Sequence, residues 1–528
     1  MVTTLRRSLS SPLQWITLAT TALLVSPVAY ITFLAFHGNA AVWRRLWTTR
    51  LPELLWNTVA LAMSVSALTF VVGFSLAWLV VRYEFPGRRI WEWALVLPLA
   101  MPTYVLAYVY AHLFGMGGPV DQWWHSVFGP DARTPAPQSF TGVSIIMALD
   151  TFPFVYLLAR GALLTLNVSY EEVARVCGVP PWQTVWRVTL PLIRPAVVAG
   201  LALVVLYVIS DFGAISLLRY QTLTYAVYQQ MTGRYDQTAA GILSVLLVVM
   251  ALLFLVMERW FRRRSRFYQT SGRYKTIQRR HCGPVGAWAI TGLATLVCGI
   301  AFGLPAAMLL YWSVAAVDQG ALDTRFIGFV WNSAFLSCMA ASCAIVVGLP
   351  LAYLASRRPT RLNLACLQAA YAGYALPGPV AALAVLALFT AFVPFLYGSV
   401  VILIVAYVIH FLPAGLQSLE PAIQQVTPNL EEAGRTLGLR TRETLWLITL
   451  PLIRNGFVAG WVLMFLQTMK ELPATLLLRP VGFDTLAIRV WLEASEEYYQ
   501  LAAPSALLIV VLSLPALLLL VSRDWRTA

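Results

Sequence analysis

Two ten-residue stretches of this chain, 260 residues apart, share one arrangement of charged and turn-forming residues. The first reads Ser169-Tyr170-Glu171-Glu172-Val173-Ala174-Arg175-Val176-Cys177-Gly178. The second reads Asn429-Leu430-Glu431-Glu432-Ala433-Gly434-Arg435-Thr436-Leu437-Gly438. After nine more residues come Val188-Thr189-Leu190-Pro191 in one copy and Ile448-Thr449-Leu450-Pro451 in the other. Ser169 and Asn429 are expected as N-caps, with Glu172 and Glu432 three residues on, as in a capping box. Gly178 and Gly438 then stop a short helix. An amphipathic piece follows, with Trp182 and Trp186 or Leu445 and Trp446, and Pro191 or Pro451 leads into the next segment. This pattern does not supply a nucleophile or an acid–base pair. It supplies a helix–turn–helix with an acidic start and an exposed turn. Present twice, it reads as a docking surface for a two-fold symmetric partner.

A second set of ionisable residues lies inside apolar runs. Asp211 and Glu471 stand 260 residues apart, and Lys470 adjoins Glu471. Asp150 and His410 also correspond, each three residues before a proline, Pro153 or Pro413. Pro98, Pro102, Pro377 and Pro379, with Gly378 between the last two, should break two of the apolar helices. A charge at the centre of a membrane costs roughly 2.5–3.5 kcal/mol on insertion scales, so such groups face protein or water. Broken backbone at that depth must likewise be buried in protein or line a cavity. Asp150, Asp211, His410, Lys470, Glu471, Pro102, Pro377 and Gly378 are therefore candidates for the wall of a central path. Their carboxylates suit a hard cation, and Tyr207 is close by in sequence. The competing reading is packing: a lysine–carboxylate pair and kinks that fit neighbouring helices.

Other chemistry is missing. A phosphate-binding loop needs Gly-x-x-x-x-Gly-Lys-Ser/Thr. The chain's two lysines are Lys275 and Lys470, and neither sits in that pattern. The five histidines show no metal-ligand or triad spacing, and the six cysteines form no CxxC pair. Disulfides and a zinc site are not expected, and the chain is not expected to be an enzyme.

Composition fixes what must hold these residues in place. Of 528 residues, 59% are hydrophobic and 11% charged, with a mean hydropathy of +0.73. A soluble domain carries about 25% charged residues. That contrast excludes a disordered chain, a nucleic-acid module and an ordinary soluble enzyme. A membrane helix needs about 20 mainly apolar residues. Runs of that kind fall at 12–36, 55–81, 90–114, 141–165, 195–218, 238–257, 285–312, 331–355, 364–391, 398–419, 455–478 and 500–522. The first is too long for a cleaved signal peptide and is counted as a span. The net charge of +14 reports topology. With both termini in the cytoplasm, most Lys and Arg fall on inner segments, the heaviest cluster running from Arg259 to Arg280 and including Arg262, Arg263, Arg264, Arg266, Arg273 and Lys275.

The chain is also a tandem repeat. Trp56-Asn57, Gly73, Ala77, Arg82 and Pro102 recur 275 residues later as Trp331-Asn332, Gly348, Ala352, Arg357 and Pro377. The loop motifs recur at 260, so the first half has a longer connection near 115–140. Six spans per half is an even number, so matching helices run the same way and the repeat is parallel. The expected fold is all-α: about twelve membrane helices in two six-helix halves, 1–257 and 285–528, joined by a basic cytoplasmic linker at 258–284, with loops at 169–191 and 429–451.

The duplicated loop resembles the EAA loop of the permeases of binding-protein-dependent ABC importers: Glu-Ala-Ala, three residues, Gly, nine residues, then Ile-x-Leu-Pro. Val173 and Gly434 stand where that pattern has Ala. The resemblance covers nearly the whole chain, in the fused form that carries two permease repeats of the type I importer architecture. It implies that Glu171, Glu172, Ala174, Gly178, Leu190 and Pro191, with Glu431, Glu432, Ala433, Gly438, Leu450 and Pro451, couple the chain to two cytoplasmic ATPase subunits. ATP and Mg would be used there, and this chain would bind no cofactor. It implies a periplasmic or lipoprotein substrate-binding protein as further partner, no nucleic acid, and residence in a bacterial inner membrane. Ser210-Asp211-Phe212-Gly213-Ala214, Leu217-Leu218-Arg219-Tyr220, Lys470-Glu471-Leu472-Pro473-Ala474-Thr475 and Leu477-Leu478-Arg479-Pro480 look most like the ferric-iron branch. Thiamine, polyamine and sulfate permeases share the loop. An ion-coupled carrier would account for twelve spans but not for the paired loops.

Overall fold

The computed structural model describes residues 12–37, 40–234, 236–263, 279–318, 323–371, 373 and 376–524. The basic stretch 264–278, and Arg6 and Arg7, lie outside the described residues; of the expected linker 258–284, the part up to Arg263 continues the helix Gln237–Arg263. The described chain is helical almost throughout. Its β structure is one parallel pair of two-residue strands, Tyr83–Glu84 with Arg280–His281, which ties the start of the second half to the first.

Among the described residues nine helices are long and apolar enough to cross a membrane, and a bent pair, Arg88–Ala100 with Thr103–Phe128, makes up to a tenth. The shorter apolar helices Gly378–Phe392 and Tyr499–Pro515 fall where the ninth and twelfth spans were expected. Several expected spans are thus not single straight helices. The third turns by 90° at Met101-Pro102, because Pro102 offers no N–H and its ring disfavours helix in the residue before it. The ninth is divided into Arg361–Tyr371 and Gly378–Phe392. The fifth stops at Ser210 and resumes at Gly213, and the eleventh stops at Met469 and resumes at Pro473.

The two halves repeat one another in detail. The Asn57 amide donates to Gln221 O at 3.1 Å and the Asn332 amide to Asp484 O at 3.0 Å. The Leu223 N–H reaches Thr58 Oγ1 and the Leu486 N–H reaches Ser333 Oγ, at 3.0 and 2.8 Å. Each half also lends its opening helix to the other. Pro12–His37 packs on Thr324–Arg357, Arg361–Tyr371 and Gly378–Phe392, and Gln14 bonds Asn363 across a buried 2.7 Å contact. In return Pro284–Cys298 and its continuation lie on the first half, where the Tyr110 hydroxyl donates to Ile300 O at 2.6 Å. Neither half is closed without a piece of the other.

Within each half, close helix crossings rest on glycine. A Cβ on Gly73 would sit 2.8 Å from Phe152 O, whereas one on Gly161 would meet nothing within 4 Å. Overpacking a well-filled site costs about 1–3 kcal/mol. Gly73→Ile is expected to lower the thermal midpoint of the detergent-purified protein by several degrees, while Gly161→Ile leaves it within a degree; light-scattering-detected melting reads both.

Candidate functional site

The loop between the fourth and fifth long helices of each half is built as a hairpin of helices. Ser169–Val176 ends in a Schellman turn: Gly178 N–H bonds Arg175 O at 2.9 Å and Val179 N–H bonds Ala174 O at 3.0 Å. In Pro428–Thr436 the same two bonds run from Gly438 to Arg435 and from Leu439 to Gly434, at 3.0 and 3.1 Å. Gly178 and Gly438 have φ of 77° and 93°, a left-handed conformation that glycine alone adopts without a Cβ penalty. The turn expected from sequence is therefore present in both copies.

The expected capping box is not. The helices begin one residue or more before the glutamates can act, with Val168 and Thr427 in the cap position and no side-chain cap bond. In the first copy the Asn167 carboxamide takes the Ser169 N–H at 3.1 Å. In the second, Pro428 opens the helix and needs no partner for a missing N–H. The preceding glutamates, Glu171 and Glu431, are drawn inward instead. Glu171, 1% exposed, accepts from Arg82 at 2.5 Å and from the Thr189 hydroxyl at 2.9 Å, with Arg175 at 3.8 Å. Glu431, 3% exposed, accepts from Arg357 Nε at 2.8 Å, Tyr353 OH at 2.9 Å and Thr449 at 3.0 Å, with Arg435 at 3.9 Å. Glu172 is half-buried and Glu432 exposed.

Sequence reasoning paired Arg82 with Arg357 as a repeat but gave them no task, and it passed over Thr189, Thr449 and Tyr353. Their signal was there: an arginine at the end of a long apolar run, and a threonine inside the Thr-Leu-Pro motif, both duplicated. The arginine, glutamate and threonine join three elements, namely the end of Leu51–Arg82 or Thr324–Arg357, the loop helix, and the start of the next long helix.

The segment after the turn also differs from the expected short piece plus span. Pro181–Ser210 is continuous, with a π-helical turn at Val185–Thr189, and Leu445–Thr449 forms the same turn in the second copy. The wider turn gives the ring of Pro191 or Pro451 room against the preceding carbonyls. Leu190 and Leu450 are partly buried at that point. Ala174 is buried against the hairpin, and at its counterpart Gly434 a Cβ would lie 2.5 Å from Ile448 Cδ1. Large apolar side chains face outward among exposed charges: Val176 is 89% exposed and Leu437 85%, flanked by Val173, Trp182 and Trp186 in one copy and by Ala433, Trp446 and Leu447 in the other, with Arg175 and Arg435 also exposed.

The candidate path residues gather at the helix breaks. Asp211 Oδ1 accepts from Ala214 N–H at 3.0 Å, and its other oxygen accepts from the Thr103 hydroxyl, next to Pro102. Glu471 accepts from Ala474 N–H at 3.0 Å and lies 3.1 Å from where a Gly378 Cβ would be, beside Pro377. Each carboxylate thus caps a short helix and abuts the broken helix of its own half. Lys470 crosses between halves and donates to Leu99 O at 2.8 Å. Asp150 is 2% exposed, with Oδ1 free of hydrogen bonds among the described residues. His410 does not join it; it stacks edge-on against Phe411, 4.5 Å between ring centres. Among the described residues no group of three His, Cys, Asp or Glu converges to hold a resident metal ion.

The comparisons with known proteins agree with this architecture. The family model for the inner membrane component of binding-protein-dependent transport systems matches residues 69–267 and again 344–526. The chain is 31% identical to the Fe(3+)-transport system permease protein FbpB 2 of Haemophilus influenzae over 90% of both chains. It is 23% identical to the ferric transport system permease protein FbpB of Actinobacillus pleuropneumoniae, over 87% of this chain and 69% of that one. The sulfate transport system permease protein CysW of Escherichia coli is 29% identical over 49% of this chain and 91% of its own. With two copies of the fold, two copies of the loop and a family match in each half, the chain belongs to the binding-protein-dependent transport system inner membrane components, as a fused ABC importer permease.

Proposed function

We propose that this chain moves ferric iron, handed over by a binding protein on the outer side, across a bacterial inner membrane by alternating access between its two halves. Two separate ATPase subunits would drive the change from the cytoplasm by gripping the helix hairpins at 169–191 and 429–451. The termini would then be cytoplasmic, in line with the distribution of Lys and Arg. The observation that carries the coupling role is the pair of hairpins. Each presents an exposed apolar face on a rigid turn and is anchored by a buried carboxylate to a long helix that runs to the far end of the molecule. Thr324–Arg357, at 1.5 Å per residue, spans about 50 Å from that anchor. At its far end a cavity of about 530 Å³, lined by Asp323, Arg325, Asp484, Arg489 and Glu493, offers a charged surface where a binding protein would sit. The iron assignment is supported by the relatives just named, two of which are ferric permeases and span most of the chain. Sulfate is the reading that half-length relatives favour.

Two outcomes are expected of loop variants. Val176→Asp with Leu437→Asp removes both apolar faces without touching the anchors. Iron uptake in vesicles is expected to fall at least tenfold, and the ATPase subunits to be lost on affinity purification, with membrane insertion unchanged. Glu171→Ala strips the counter-charge from buried Arg82, a loss of about 3–5 kcal/mol for a broken buried pair. It is expected to lower both the melting temperature and coupling, and Arg82→Met with Glu171→Leu is expected to recover stability but not uptake.

A further inference from the structure

The two halves match at the loops but not at the helix breaks. At the break of the first half stand Asp150, Tyr207, Asp211 and Thr103. The positions that correspond in the second half are His410, Gln467, Glu471 and Gly378. Glu471 accepts from the Ala474 amide and lies beside Gly378, and the position that matches Asp150 holds His410. In the first half the Tyr207 hydroxyl faces both Asp150 and Thr103, and Asp150 and Asp211 lie within electrostatic reach of each other. Into this group comes the Lys470 side chain of the other half. Its ammonium acts on Asp150 and is fixed by the carbonyl of Leu99, the residue before Ala100, where the third span breaks. Asp150 lies ten residues along Phe140–Thr165, about 15 Å from the helix end that faces away from the loops.

Charge and ligand counts define what this group can hold. Two carboxylates, Asp150 and Asp211, stand here with one ammonium, Lys470, at a depth where a charge must be compensated by protein. One buried oxygen, Asp150 Oδ1, makes no hydrogen bond among the described residues. The oxygens on offer are two carboxylates, a phenol, a threonine hydroxyl and a backbone carbonyl. That set suits a hard cation, yet with two carboxylates it is too sparse to retain one, as conduction requires.

We infer that the translocation path contains a single, one-sided transit site for a hard multivalent cation, formed by Asp150, Asp211, Tyr207 and the Leu99 carbonyl of the first half, and that Lys470 of the second half is a tethered ammonium that occupies this site until the cation displaces it. Lys470 thereby bridges the two halves only while the site is empty, and cargo entering from the binding-protein side releases that bridge. The inference rests on the proposed cation-import reading for its role, but its chemistry can be measured without transport.

The experiment uses the full chain purified with its ATPase subunits, and terbium(III) as the probe, detected by luminescence sensitised by nearby aromatic rings. Lys470→Met is expected to tighten terbium binding at least tenfold, and Asp150→Asn added to it to reverse the gain. Glu471→Gln, in the second half, is expected to leave affinity within twofold. Unchanged affinity in Lys470→Met would overturn the inference, as would equal losses from Asp150→Asn and Glu471→Gln, which would indicate a symmetric site. Melting temperatures taken in parallel identify a variant that has failed to fold; Lys470→Gln then replaces it. If the wild-type complex imports no iron while the terbium pattern holds, the iron assignment fails and the cation site stands.

Discussion

The arrangement depends on a buried arginine–glutamate pair that occurs twice. Arg82 with Glu171, and Arg357 with Glu431, are held where water is nearly absent, so neither partner can be lost without leaving a charge stranded. Each pair matters because of what it joins. The arginine closes a helix of more than thirty residues, the glutamate belongs to the exposed loop helix, and Thr189 or Thr449 of the next long helix completes the carboxylate's shell. The loop helix is therefore tied to two membrane helices at once.

Duplication explains much of the rest. A parallel repeat places two such levers on one face of the molecule, which is the requirement for a partner made of two equal subunits. The exchange of opening helices, sealed by Gln14 with Asn363 on one side and Tyr110 with Ile300 on the other, holds the halves together. The copies also diverge in places. One is the break region, where Asp150 of the first half corresponds to His410 of the second. Another is the connection at 115–140, present at greater length in the first half, where Pro119–Phe128 adds a short helix.

Sequence made the class, the repeat, the loops and their turns legible, because each depends on short-range rules: apolar run length, a glycine at a helix end, and fixed spacing. It misjudged what depends on partners distant in the chain. Glu172 and Glu432 looked like capping-box residues because the i to i+3 spacing was right, but Arg82 and Arg357 draw the neighbouring Glu171 and Glu431 inward instead. Runs such as 195–218 looked continuous because hydropathy does not register a break made by Asp211 capping the next helix. Asp150 and His410 looked equivalent by position, and packing gives them different surroundings. The reach of Lys470 to Leu99, 371 residues away, has no local signature at all.

The most direct test of the central claim is uptake of radioactive iron(III) into vesicles that contain this chain, its ATPase subunits and its binding protein, set against uptake of labelled sulfate under the same conditions. Iron accumulation that requires ATP, stops when the binding protein is omitted and is not matched by sulfate is the expected result. Accumulation driven by a proton gradient without ATP would contradict it, as would ATP-dependent accumulation of sulfate with none of iron.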